Sequence, residues 1–263
     1  MKREKKILSK EVISWAFYDW ANSAFATTVM AGFFPLFFKS FWASNLTDAE
    51  STGMLGIANS LSGLLIVLIA PFLGAVADIT FKKKYLLVFF MIIGTGSTAS
   101  FFLIQQGDWI LAMSAYIFAC IGFSGGNIFY DSLIINVSSE QSRNKVSAFG
   151  YAMGYLGGGL LFVLNVFMYL QPAVFGLASQ VDAILFSFLS VAVWWSFFTL
   201  PLIRYVKEKS GLFEKTTSIN LIKKSFFRVL QTFKEIKEYR NLLYFLIAYW
   251  LYMDGIDTVV RMA

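Results

Sequence analysis

Residues Tyr18–Phe38 read YDWANSAFATTVMAGFFPLFF. A run of this length and apolarity fits the hydrocarbon core of a bilayer, which needs about 20 predominantly apolar residues. It nevertheless begins with Asp19, Asn22 and Ser23. In water such a segment would be a buried core helix. In lipid its polar groups must turn away from acyl chains, because a charge at bilayer depth costs several kcal/mol unless it is paired, hydrated or interfacial. Composition decides between these solvents. The 263 residues are 57% hydrophobic and 14% charged, and the mean hydropathy is +0.64. Soluble domains carry roughly 25% charged residues. The chain lacks the charge to solvate a surface of its size, so lipid is the solvent for most of it.

Six complete spans are predicted, at about Ser14–Phe38, Gly53–Ala77, Tyr85–Ile104, Trp109–Val137, Ser147–Leu170 and Asp182–Val206. A seventh starts near Leu242 and is still running at Ala263. Lys and Arg sit in alternate connections: the N-terminal Lys2–Lys10 segment, Lys82–Lys84, Arg143 with Lys145, and the long stretch Lys207–Arg240. The connections Trp42–Thr52, Gln105–Asp108 and Gln171–Val181 contain neither. The positive-inside rule then places the N-terminus and the basic connections in the cytoplasm. The net charge of +6 is explained by orientation and anionic lipid, without a nucleic-acid partner. In the long connection Ile222, Phe226, Val229, Leu230, Phe233 and Ile236 recur at helical spacing against a lysine-rich face. That pattern predicts an amphipathic helix, lying on the inner leaflet or packed on the bundle.

The chemistry available is narrow. Histidine is absent and Cys120 is the sole cysteine, which removes the commonest general base and metal ligand and any internal disulfide. No metal or cofactor is expected, and no Walker-type phosphate loop is present. What remains is a set of acids and amides inside the spans. Asp19, Asn22, Ser23 and Ala26 fall at i, i+3, i+4 and i+7, on one helical face. Ser124, Asn127 and Asp131 repeat the arrangement in the fourth span. Asp254 lies ~18 Å along the seventh helix, near mid-bilayer, and Asp257 and Arg261 stand one turn apart, placed to pair. Each set has two readings: a solute or ion path, or a hydrated or ion-paired helix end. Gly150, Gly154, Gly157, Gly158 and Gly159 clear one side of the fifth helix for close packing, for a rocking contact, or for both.

The connection after the second span, GAVADITFKKK, places Gly74, Asp78, Lys82 and Lys83 at the positions of the cytoplasmic signature loop of the major facilitator superfamily. It departs from that pattern at Ile79 and Phe81, where a basic residue and glycine are usual. The stretches SWAFYDWANSAF, FYDSLI, AFGYAMGYLGGG and YWLYMDGIDTVVRMA, in this order and spacing, resemble the vacuolar amino-acid effluxer-like branch of that superfamily. The resemblance implies an all-α membrane protein: a six-helix N-terminal half at 1–206, a cytoplasmic central loop with the amphipathic helix at 207–240, and the start of a C-terminal half at 241–263. It implies alternating access between two halves. It also places Asp19, Asn22, Tyr130, Asp131 and Asp254 on family motifs.

The expected function is secondary active transport of a small polar solute such as an amino acid, coupled to an ion gradient, across a bacterial plasma membrane. Candidate path residues are Asp19, Asn22, Asn127, Tyr130, Asp131, Asp254, Asp257 and Arg261; the gate loop is Gly74, Asp78, Lys82 and Lys83; Gly150, Gly154 and Gly158 pack helices. Expected partners are the bilayer, the solute and a C-terminal half. Two alternatives stay open: a truncated or split half without transport of its own, and an aspartate-based enzyme acting on lipid. The topology is checked by single cysteines in a Cys120→Ala background. A cysteine at Gln105 should react with an impermeant maleimide on intact cells, and one at Lys82 should react only after permeabilisation.

Overall fold

Sequence periodicity and length both demand long helices, and the computed structural model is a set of helices joined by short connections, with no strand among its described residues: 8–80, 82–208, 227, 231 and 239–262, with the side chains of 75–80, 254 and 256–262 outside the description. We label the long helices α1 (Lys10–Trp42), α2 (Asp48–Thr80), α3 (Lys83–Ser100), α4 (Trp109–Val137), α5 (Arg143–Leu170), α6 (Gln180–Tyr205) and α7 (Arg240–Met262). The first six carry stretches long and apolar enough to cross a membrane. The first two helices run a few residues beyond the predicted spans at both ends, the third, fifth and sixth begin two to four residues earlier than predicted, and Trp109–Val137 matches. The predicted amphipathic helix at 222–236 lies outside the described residues apart from Phe227 and Gln231.

The caps are local and legible. Ser9 opens α1 by accepting from the Val12 N–H at 3.3 Å. Thr47 and Glu50 open α2 reciprocally: Thr47 Oγ1 accepts from the Glu50 N–H at 3.3 Å, and Glu50 Oε2 accepts from the Thr47 N–H at 2.9 Å. This is a capping box, which satisfies two otherwise orphaned donors. Ser179 does the same for α6, accepting from the Asp182 N–H at 3.1 Å.

α1 is the central element. It packs on α5 and α6, while α3 packs on α4 and α6, and α2 leans on α4. α1 is also irregular. It is α-helical over Lys10–Ala24, opens into wider i→i+5 turns over Phe25–Phe33, tightens again over Phe34–Phe37, and widens once more over Phe38–Trp42. Pro35 sits inside this run and lacks the N–H that would close an ordinary turn. Aromatic packing holds the distal part. Phe34 stacks on Tyr116 with ring centroids 4.0 Å apart. Trp42 is fully buried against Phe37, Phe101 and Phe188 and donates its indole N–H to the Ile104 carbonyl at 3.2 Å.

At the opposite end of the bundle the basic connections gather. The α3 start and α6 end cap each other. The Glu208 carboxylate accepts from the backbone N–H of Lys83 at 2.9 Å and of Lys84 at 2.8 Å. In return Lys84 Nζ donates to the carbonyls of Ile203 at 2.9 Å and Val206 at 2.8 Å. Anions at a helix start and cations at a helix end both oppose the local dipole, and the same contacts fill backbone groups that a helix leaves unpaired. Of the signature-loop residues, Lys82 is exposed and Lys83 is buried with its backbone on Glu208. Gly74 meets no neighbour within 4 Å of where a Cβ would stand. The Asp78 side chain lies outside the description.

Removing the clasp gives the first structural test. Glu208→Ala orphans two donors at once, so about 1–2 kcal/mol of stability should be lost. Glu208→Ala and Lys84→Ala should each lower the thermal midpoint of the detergent-solubilised protein. Lys82→Ala, at an exposed position, should leave it unchanged.

Candidate functional site

Two faces of α1 carry the polar groups, and they meet different neighbours. Trp15, Tyr18 and Asn22 turn toward α4. The Trp15 ring stacks on Tyr130 at 4.3 Å, and its indole N–H donates to the Tyr130 carbonyl at 3.0 Å. Tyr18 lies 5.2 Å from the same Tyr130 ring. The Asn22 amide donates to Asn127 Oδ1, a direct bridge between α1 and α4. The sequence put Asn22 and Asn127 in separate polar stripes; the fold makes them one contact.

Asp19, Ser23 and Thr27 turn toward α5, where the glycines lie. Ser23 Oγ donates to Asp19 Oδ1 at 3.1 Å. A Cβ on Gly154 would stand 2.7 Å from Ser23 Oγ and 2.9 Å from Asp19 Oδ1. On Gly150 it would stand 2.7 Å from both the Trp15 ring and the Tyr130 hydroxyl, and on Gly158 it would press the Ser23 carbonyl at 2.9 Å. Thr27 Oγ1 donates to the Gly158 carbonyl at 3.1 Å. Gly157, one position off this row, faces Trp20, whereas Gly159 meets nothing within 4 Å. From the third side, Trp194 of α6 donates its indole N–H to the Trp20 carbonyl at 3.3 Å.

Neither carboxylate is in an ion pair among the described residues. Asp19 is partly buried and Asp131 exposed. A Cβ on Gly150 would meet the Tyr130 hydroxyl and one on Gly154 would meet Asp19, so both groups border the same stretch of α5. Tyr130 is 5% exposed and its hydroxyl has no hydrogen-bond partner. The Tyr18 hydroxyl, Asn22 Oδ1 and the Trp195 indole N–H likewise make no hydrogen bond among the described residues. Leaving a buried polar group unpaired costs about 1–3 kcal/mol. Such a cost, concentrated around α1 and α4, marks groups positioned for something other than holding the bundle together.

α7 touches α1 at its widened segment, Phe25–Phe33. Its backbone is helical through Asp254, Asp257 and Arg261, but these three side chains lie outside the description, and with them the expected Asp257–Arg261 pair. Sequence reasoning missed Trp15 and Tyr18, one helical turn from Asp19 and Asn22 on the α4-facing side, and Tyr151, set among the glycines. It also missed Glu208, an acid three residues beyond the end of α6.

A family model described as vacuole effluxer Atg22 like matches residues 46–263. The chain belongs to the Atg22-like family. Asp19 and Asn22 precede that matched stretch. Among Atg22-like relatives, the uncharacterised MFS-type transporter YxiO of Bacillus subtilis is 37% identical over 265 residues, covering 98% of this chain and 60% of YxiO. Autophagy-related protein 22 of Eremothecium gossypii is 22% identical over 307 residues, covering 98% of this chain and 59% of that protein. The chain thus spans about 60% of the length of these relatives. The inward-open structure of the xylose transporter XylE from E. coli superposes with a TM-score of 0.57 at 16% identity, over 90% of this chain and 56% of XylE. That likeness establishes the fold: the chain has the helix arrangement of the matched part of XylE.

The glycine row supplies the test here. Gly154→Leu would drive a branched side chain into the Asp19 carboxylate and the Ser23 hydroxyl. It should cost more than about 2 kcal/mol and lower the thermal midpoint sharply. Gly159→Leu, facing open space, should be nearly neutral.

Proposed function

We propose that this chain supplies the N-terminal half and the first helix of the C-terminal half of a secondary transporter for a small polar solute such as an amino acid. The solute binds between the halves, which rock about it, and an ion gradient drives the cycle. The membrane is the bacterial plasma membrane, with the N-terminus and the Lys84–Glu208 clasp in the cytoplasm. The division at 206 and 240 and the contribution of a C-terminal half belong to the same proposal, as do the roles of Asp254, Asp257 and Arg261 from α7.

One observation carries it: the Asp19 carboxylate lies partly buried among helices with no ion-pair partner among the described residues, one turn along the α5 glycine row from a Tyr130 hydroxyl that likewise has no hydrogen bond there. An intramembrane acid without a partner is a binding or relay group by default. Its partner in the cycle is a proton or the ammonium group of the solute. Asp131 and the Asn22–Asn127 bridge stand beside it and would orient what binds. The relatives' printed names support transport: YxiO is an MFS-type transporter, and the matched family is named for a vacuolar effluxer.

The test is flux in proteoliposomes holding the full-length protein, over a panel of amino acids and related solutes, with and without an imposed pH gradient. Loss of a charge-assisted contact worth about 1.5–3 kcal/mol should cut gradient-driven flux by roughly tenfold or more in Asp19→Asn. If Asp19 relays the proton, gradient-free counterflow survives that substitution; if it holds the solute, counterflow fails as well. Gradient-driven flux at the wild-type rate in Asp19→Asn would reject the assignment.

A further inference from the structure

The outer face of α6 holds a feature the transport reading does not use. Two adjoining apolar cavities, of about 520 and 280 Å³, share Phe197 and Leu200 in their walls. They therefore form one trough. Its upper part lies between α3 and α6, where Gly96, Ala99, Ala192 and Ser196 leave room that larger side chains would fill. Its lower part runs past Phe17 of α1 and Pro201 to Arg204 and Tyr205 at the end of α6. From Leu189 to Arg204 the trough follows ~22 Å of helix, more than the depth of one leaflet's share of a ~30 Å core.

The lower end is basic. Lys10 Nζ stands 3.7 Å above the Tyr205 ring, and the Arg204 guanidinium is 5.7 Å from the same ring. Tyr205 thus carries cations contributed by two helices. Both cations are exposed, and among the described residues neither is paired with a carboxylate. An apolar trough of leaflet length that ends in two unneutralised cations has the charge pattern of one kind of molecule.

We propose that this trough binds an anionic phospholipid of the inner leaflet. One acyl chain lies along α6 between the small residues of α3 and α6. The phosphate sits between Lys10 and Arg204, with the Tyr205 hydroxyl as a further donor. Arg offers two parallel donors to phosphate oxygens, and Lys a point charge. The bound lipid would tie the start of α1 to the end of α6, beside the Lys84–Glu208 clasp.

Native mass spectrometry of the purified full-length protein tests this, with phosphatidylglycerol and phosphatidylcholine titrated separately. The wild type should retain phosphatidylglycerol in preference to phosphatidylcholine. Each basic residue near an anionic headgroup is worth enough that the Lys10→Gln/Arg204→Gln pair should weaken phosphatidylglycerol binding by roughly tenfold or more. Arg204→Lys should retain most of it. Ala192→Trp, which fills the trough, should weaken binding of both lipids. An Arg143→Gln/Lys145→Gln control, in another basic connection, should change nothing. Equal retention of the two lipids would overturn the proposal, as would a Lys10/Arg204 variant that binds like wild type. So would a control that loses as much as that variant, since the attraction would then be the general pull of basic loops. A trough already filled by residues 209–239 of the chain would show as no retained lipid and would count against it equally.

Discussion

The approach of α1 to the glycine row of α5 is the contact on which the rest of the bundle depends. Apolar side chains gain nothing by leaving lipid for each other, so helices in a membrane associate through close van der Waals contact and hydrogen bonds. Gly150, Gly154, Gly157 and Gly158 bring the α5 backbone against Trp15, Asp19, Trp20 and Ser23. Thr27 then crosses the seam to the Gly158 carbonyl. At this separation a polar α1 face is shielded from acyl chains by backbone. Larger residues on α5 would hold α1 away and open Asp19 to lipid. The polar stripe that makes α1 costly in a membrane is tolerable because its neighbour has no side chains there.

The same logic orders the two ends of the bundle differently. The distal end is closed by aromatic rings: Phe34 on Tyr116, and Trp42 among Phe37, Phe101 and Phe188. This packing is rigid and needs few directional contacts. The basic end is closed by charge on backbone, through Glu208 and Lys84. Such contacts are geometrically demanding yet exchangeable with water, so the two ends differ in how readily they can rearrange. The polar groups around Asp19 and Tyr130 lie between them.

Much of this was legible in the sequence, for a reason each element makes plain. A helix that faces lipid must be long and apolar, so Trp109–Val137 was bounded to the residue by hydropathy alone. The glycines of AFGYAMGYLGGG pointed to a close approach, a rocking contact or both, and the close approach is what the fold shows. Partners were harder. Asn22 and Asn127 are 105 residues apart, and no periodicity links them. The α1 stripe read as one face, yet Asn22 meets α4 while Asp19 and Ser23 meet α5, since three helices converge on it. Glu208 could not be read as a cap, because its donors belong to a helix 124 residues earlier. The wide turns of α1 were invisible too: Pro35 signals a local break, whereas the looser winding begins ten residues before it, at Phe25.

That winding has a bearing on how the chain tolerates change in length. In an ordinary α-helix, deleting one residue swings everything beyond it by about 100° and carries buried side chains to the outside. Wide turns hold more residues per revolution than the α-helix does. Phe25–Phe33 is therefore a store of slack, able to shed a residue by tightening its coil while Asp19 and Trp42 keep their bearings. Homologous chains should accordingly show insertions and deletions inside this stretch, in a part of the bilayer where alignments are ordinarily free of gaps.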